Sequence, residues 1–246
     1  MVNQSENALA HKDGWLLIDA GPSDMTDDVC VALAARAYVY EAWRCLFGNE
    51  PSLGLLSGFA NDDFRTAIDI ICDERRGPID AFMDIVVSSK SEIEGMRREY
   101  VRCFIGPGKL PAYPWESVNL EPDGALFGDS TLSVRRAYAA NGLRSKQFGS
   151  EPDDHIAIEL QFMEVLANRA LVGWRSGDQD SCVSNLASSS SFLDEHLNRW
   201  IPLYAAAFAE GDECGFYGRA AETLKQFLEA DRAFLEELKP VIESAS

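Results

Sequence analysis

From Ile156 to Leu166 the apolar residues Ile156, Ile158, Leu160, Phe162, Met163, Val165 and Leu166 fall on most sides of a helical wheel. A helix without a broad polar face cannot lie on a surface, so other elements must surround this one. Those elements must be helical too. No stretch of the chain alternates apolar and polar residues with the period of two that a half-buried strand requires.

The remaining punctuation divides the chain into helices. Thr26 before Asp27 and Asp28 suits a helix start, and an apolar period runs from Val29 to Phe47 until Gly48-Asn49-Glu50-Pro51 stops it. Helices are expected over 62–73 and over 78–87, the latter with Pro78 in its first turn. Ser91-Glu92-Ile93-Glu94 reads as a capping box opening a helix through Phe104. Asp129-Ser130-Thr131 caps a helix to Ala140, and Asn141-Gly142 closes it. The central helix begins at Asp153 and breaks at Gly173 to Gly177, whereas the run Ser188 to Ser191 reads as a loop and cap. A helix from Ser191 to Ala209, kinked or divided at Pro202, and another from Phe216 to Leu238 complete the set. The expectation is an all-α fold, a compact helical bundle of about eight to ten helices. It forms a single domain over 27–246, preceded over 1–26 by a tail or short packed segment. One long loop, at about 106–128, interrupts it with Pro107, Pro111, Pro114 and Pro122. Loops of that length inside a compact domain carry function or act as linkers.

Charge narrows the partners. With 22 basic and 40 acidic residues the chain carries −18, which repels phosphate backbones and anionic lipid and attracts basic peptides. Nucleic acid and direct membrane insertion are therefore not expected, and no segment has membrane-spanning length. Cys30, Cys45, Cys72, Cys103, Cys182 and Cys214 show no C-x-x-C spacing, so no zinc or thioredoxin-type site is indicated. The early apolar run Trp15 to Ile18 is too short for a secretory leader. Together these read as a cytoplasmic protein, monomeric or dimeric.

Chemistry concentrates in two places. His155 and Glu159 lie four residues apart beside Glu151 and Asp154, a pattern open to a cap with a salt bridge or to a metal-dependent or acid–base hydrolase. No G-x-S-x-G elbow and no complete phosphate loop accompanies it. Tyr100, Cys103 and Phe104 share one helical face, and the segment Pro111-Ala112-Tyr113-Pro114-Trp115-Glu116-Ser117-Val118 follows. Trp115 suits an anchor in a groove. Spacing leaves open whether Tyr100, Phe104 and Trp115 are core or a binding surface.

Taken in order, these segments resemble the TorD/DmsD family of chaperones for molybdenum-containing oxidoreductases. Its pattern runs aromatic-x-x-L-F, P-x-x-P-W-E-S-V, L-F-G-x-S-T-L-x-V-R and E-P-x-D-H. The chain has Tyr100 to Phe104, Pro111 to Val118, Leu126-Phe127-Gly128-Asp129-Ser130-Thr131-Leu132-Ser133-Val134-Arg135, and Glu151-Pro152-Asp153-Asp154-His155. The resemblance implies an all-helical chaperone, not an enzyme, with no cofactor, metal or catalytic residue. Such a chaperone binds the twin-arginine signal peptide on the catalytic subunit of a molybdoenzyme, assists cofactor insertion, and withholds export until then. An alternative is a nitrate-reductase-type assembly factor that grips the mature part of its client. Carried over, the peptide groove involves Tyr100, Cys103, Phe104, Pro114, Trp115, Pro152, Asp154 and His155, with Glu116, Glu151 and Asp153 as further acids for the arginines. Cys103 stands where the pattern has leucine, which widens the groove locally.

Overall fold

A computed structural model describes residues 28–72, 77–89, 92–106, 108–146, 151–210 and 215–244. Their order is α1 (Asp28–Gly48), α2 (Leu53–Phe59), α3 (Asp62–Cys72), α4 (Gly77–Ser89), α5 (Ile93–Tyr100), α6 (Glu116–Leu120), α7 (Asp129–Ala140), α8 (Ile156–Ser176), α9 (Gln179–Phe192), α10 (Asn198–Glu210) and α11 (Phe216–Ser244). Two π-helical turns continue the chain without a break, Val101–Ile105 after α5 and Leu193–Leu197 between α9 and α10. Among the described residues there is no strand, so the fold is all-α as the periodicity requires. The segment 1–26, Thr26 and Asp27, Ser91 of the expected capping box, Pro107 and Cys214 lie outside the described residues.

The apolar helix is indeed the centre. α8 packs chiefly on α1 and α9, with Ile156, Leu160, Met163, Leu166 and Ala170 buried. α1 is the second interior helix and gathers the aromatic core. Trp43 stacks on Phe82 of α4 at 5.7 Å and meets Phe59 of α2 edge-on at 5.3 Å. Tyr40 meets Phe227 of α11 at 5.3 Å. Each such pair contributes roughly 0.5–1.5 kcal/mol beyond its buried area.

Three local expectations change. Gly173 does not break α8. A Cβ there would lie 2.9 Å from the Cys182 nitrogen and 3.0 Å from the Asp178 carbonyl, so its absence lets α9 approach. The stop is Gly177, left-handed at φ 74°, with the N–H of Asp178 returning to the Gly173 carbonyl at 2.8 Å. Second, Ser188 to Ser191 is not a loop but the last turn of α9, where Ser189 is buried. Ser189 Oγ donates to the Asn185 carbonyl four residues earlier at 2.9 Å, giving a hydroxyl a place inside a helix. Third, α10 runs through Pro202 rather than dividing there. Three helices escaped the sequence reading, the 14-residue α9 that starts at Gln179 and the two short helices α2 and α6. Gly54 and Gly58 obscure α2, and α6 lies inside the proline segment.

The interior also holds an ion pair. Arg36 of α1 donates from Nε and Nη2 to the two oxygens of Asp231 on α11 at 2.7 and 3.0 Å, and the Tyr40 hydroxyl donates to Asp231 at 2.6 Å. Both charged side chains are fully buried. Bidentate geometry and the tyrosine compensate the desolvation that makes such pairs costly. Truncating one partner strands the other charge. Asp231→Ala is therefore expected to lower unfolding free energy by about 3–5 kcal/mol, whereas Arg36→Met with Asp231→Leu loses much less. Denaturant titration of both variants measures the difference.

Candidate functional site

Part of the proline segment is ordered by pairing with a distant one. Trp115 and His155 form an isolated antiparallel bridge. Ile156 N–H donates to the Pro114 carbonyl at 2.9 Å and Glu116 N–H donates to the Asp154 carbonyl at 3.0 Å. The bridge asks of Pro114 only its carbonyl, the one hydrogen-bonding group that proline keeps.

α6 starts at this bridge, yet its N-cap Trp115 supplies no capping side chain. Asp154 does so from the other segment. Its Oδ2 accepts from Ser117 N–H at 2.7 Å and its Oδ1 from the Thr131 hydroxyl of α7 at 3.0 Å. A carboxylate at a helix N-terminus satisfies open amides and complements the helix dipole. α7 is served the same way. Its N-cap is Gly128, so the expected cap from Asp129-Ser130-Thr131 is replaced by Glu121, whose Oε1 accepts from Ser130 N–H at 2.9 Å and Ser130 Oγ at 2.7 Å. Those two donors hold the Glu121 carboxyl below its ordinary range. Between them Phe127 adopts φ 63°, and Leu126 and Phe127 face solvent. Asp153 closes the assembly, accepting from Arg135 Nε at 2.5 Å through its side chain and from the Tyr138 hydroxyl at 3.0 Å through its carbonyl.

Above this base stands the first aromatic group. Trp115 is half-buried, donates from Nε1 to Glu151 Oε1 at 2.8 Å, and meets the His155 ring edge-on at 5.7 Å. Pro114 and Pro152 are buried behind it, and the Pro152 carbonyl accepts from His155 N–H at 3.2 Å. His155 caps α8, its Nδ1 accepting from Ala157 N–H at 3.2 Å, which requires that nitrogen to be unprotonated. Burial lowers its pKa from 6.5 to about 4, against the opposing charge of Asp154.

Tyr100 and Phe104 form a second group. Both are half-buried, 4.9 Å apart, and pack on Tyr217 of α11 at 5.9 and 5.0 Å. Phe104 also meets Phe47 of α1 at 6.2 Å. Cys103 lies fully buried beneath them, in the π-helical turn. Asp153 apart, the ten other residues expected at one site thus fall into two groups. Tyr100, Cys103 and Phe104 make one. Pro114, Trp115, Glu116, Glu151, Pro152, Asp154 and His155 make the other.

The acids behave differently from their expected role as a charged rim. Glu116, Asp153 and Asp154 are buried and hydrogen-bonded inside, leaving Glu151 at the surface beside Trp115. Glu116 meets His196 Nδ1 at 3.1 and 2.9 Å, and Glu159 accepts from Trp200 Nε1 at 3.0 Å. Glu159 therefore points inward rather than joining His155 on an outer face. The side chains of Glu151, Asp154, His155 and Glu159 engage separate partners, an arrangement that does not make the hydrolase centre weighed from spacing. Among the described residues no three His, Cys, Asp or Glu side chains converge as a metal-ligand set. Sequence reasoning missed His196, Trp200 and Tyr217, because their partners lie tens of residues away and no local pattern marks them.

The family model described as nitrate reductase delta subunit matches residues 72–206. The chain is 26% identical over 220 residues to a protein named chaperone protein TorD from Vibrio cholerae serotype O1, covering 87% of this chain and 98% of that protein. It is 27% identical over 207 residues to the TorD chaperone of Vibrio vulnificus, covering 81% and 94%. It is 33% identical over 124 residues to a Tat proofreading chaperone DmsD of Salmonella typhi, covering 50% and 54%. Among the described residues no helix is long and apolar enough to cross a membrane.

The lowered pKa of His155 predicts an acid response. As pH falls below 6.5 the unfolded chain binds a proton that the folded protein refuses until about pH 4. The stability that His155 contributes above pH 6.5 is therefore lost across that window. His155→Asn, which keeps a capping side chain, is expected to flatten the thermal midpoint against pH between those limits. A profile as steep as the parent's would assign the acid response to other groups.

Proposed function

The chain belongs to the TorD-like nitrate reductase delta subunit family, and we propose that it is a cytoplasmic chaperone for the catalytic subunit of a molybdenum-containing reductase. In this reading it binds the twin-arginine signal peptide and assists cofactor insertion before export. The observation that carries the reading is the Trp115–His155 bridge. It joins the proline-tryptophan segment to the Glu151–His155 segment and presents a half-buried indole with the Glu151 carboxylate beside it. Aromatic surface next to a carboxylate suits a peptide in which guanidinium groups precede an apolar stretch.

The magnitudes are compatible with reversible binding. Burying roughly 300 Å² of apolar surface contributes about 7 kcal/mol before the costs of association. The charge of −18 adds attraction toward a basic leader and accelerates encounter. Glu116, Asp153 and Asp154 act here by holding the face that Trp115 presents, and Cys103 acts through the packing of Tyr100 and Phe104 above it.

Calorimetric titration of a twin-arginine leader peptide and its Lys-Lys variant tests the proposal. The expected result is micromolar binding that weakens for Lys-Lys, since lysine lacks the bidentate fork. No binding to leaders of any molybdoenzyme catalytic subunit would sink it. Trp115→Ala is expected to weaken binding by roughly tenfold to a hundredfold while shifting the thermal midpoint little. Parallel loss of affinity and stability would make Trp115 part of the core instead. The family description favours a second reading, an assembly factor that grips the mature part of a nitrate-reductase-type client. Capture of a leaderless client as efficiently as the full one would favour it.

A further inference from the structure

Beneath Trp115 lies a buried polar cluster that the peptide face does not expose. Glu116 follows Trp115 directly, and its side chain turns inward with 1% exposure. Both its oxygens face Nδ1 of His196, at 3.1 and 2.9 Å. A carboxylate cannot donate, so the imidazole must carry its hydrogen on Nδ1. Glu159 of α8, fully buried, accepts from Trp200 Nε1 at 3.0 Å through Oε2 and has no donor aimed at Oε1. Burial, and then the neighbouring Glu116 charge, push the Glu159 carboxyl well above the usual carboxylate range. A hydrogen on Glu159 would find an acceptor in the neighbouring Glu116 carboxyl while Oε2 stays free to accept from Trp200 Nε1.

The need for such a grip follows from α6. With five residues it is far too short to be stable alone, and the bridge contributes only two hydrogen bonds to the segment carrying Trp115. His196 is delivered by the π-helical turn Leu193–Leu197, a local widening that recurs at functional sites. His196 of the π-helical turn therefore meets Glu116 of α6 next to the indole, and Trp200 of α10 holds Glu159 of α8 beside that carboxylate.

We infer that Glu159 and His196 are positioning residues for the Trp115–His155 face, holding it through Glu116 and a proton shared between the two glutamates. The inference deepens the peptide-binding reading above and rests on it for its consequence in affinity.

Paired variants test the hydrogen bonds apart from the fold. Glu159→Gln keeps a donor toward Glu116 and an acceptor for Trp200, whereas Glu159→Leu keeps neither. His196→Asn places an amide nitrogen near the position of Nδ1, whereas His196→Leu does not. Asp231→Asn serves as a destabilised control in the separate Arg36 pair. Two readouts are used: affinity for a twin-arginine peptide, and the indole N–H resonance of Trp115, which reports its bond to Glu151. The leucine variants are expected to lose about tenfold in affinity and to shift that resonance, with Gln and Asn staying within about threefold. The control should lose thermal stability while moving neither readout. Unchanged leucine variants, or Gln and Asn variants falling as far as leucine, would overturn the inference. Should the leucine variants not fold, infrared spectroscopy of the parent and Glu159→Gln decides. A protonated-carboxyl band present only in the parent supports the shared proton, and its absence from the parent removes it. If the parent binds no twin-arginine peptide, the functional reading fails, while the Trp115 resonance still judges the positioning role.

Discussion

Asp154 is the group on which the arrangement around the site depends. One buried carboxylate accepts from the open amide of Ser117 and from the hydroxyl of Thr131, and its own carbonyl receives Glu116 N–H. It thereby joins three segments far apart in sequence: the start of α6, the first turn of α7 and the entry to α8. A charge held so deeply is tolerable because strong donors satisfy it and a helix terminus faces it. Lose it, and α6 has no cap, α7 loses an anchor, and Trp115 stands on a loop with two main-chain bonds.

The two aromatic groups are not isolated decorations on the surface. From Phe104 the ring contacts pass to Tyr217 and Phe47, then to Tyr204 at 6.5 Å, and on to Trp200 at 5.6 Å. Trp200 donates to Glu159, and Glu159 meets Glu116 beside Trp115. The half-buried rings of both groups are thus the outer ends of one packed interior path. Dense packing of this sort favours discrete arrangements over gradual deformation. Two functional-looking patches can then keep a fixed relation although neither α5 nor α6 could hold a pose alone.

Much of this was legible beforehand. The all-round apolar period of α8 announced a central helix, and a central helix without alternating strands implied an all-α fold. The four ordered motifs named the family, and the same motifs contain both Trp115 and His155. What stayed hidden was partnership. Nothing near Arg36 in sequence points to Asp231, and nothing near His196 points to Glu116, because side chains buried together need share no local period. Gly173 misled for the same reason. A glycine that admits a neighbouring backbone looks, in one dimension, like a glycine that ends a helix.

Periodicity and motif order, which act over a few residues, sufficed to place the central helix and most of the others, though not α2, α6 or α9, and the residues that mark the family. The roles of those residues came only with the third dimension. Glu116, Asp153 and Asp154 read as a charged rim for arginines, but an acid's role depends on whether donors or water face it. In the folded chain donors face all three. Desolvation and long-range hydrogen bonds turned them into the frame of the site and left Trp115, His155 and Glu151 as its face.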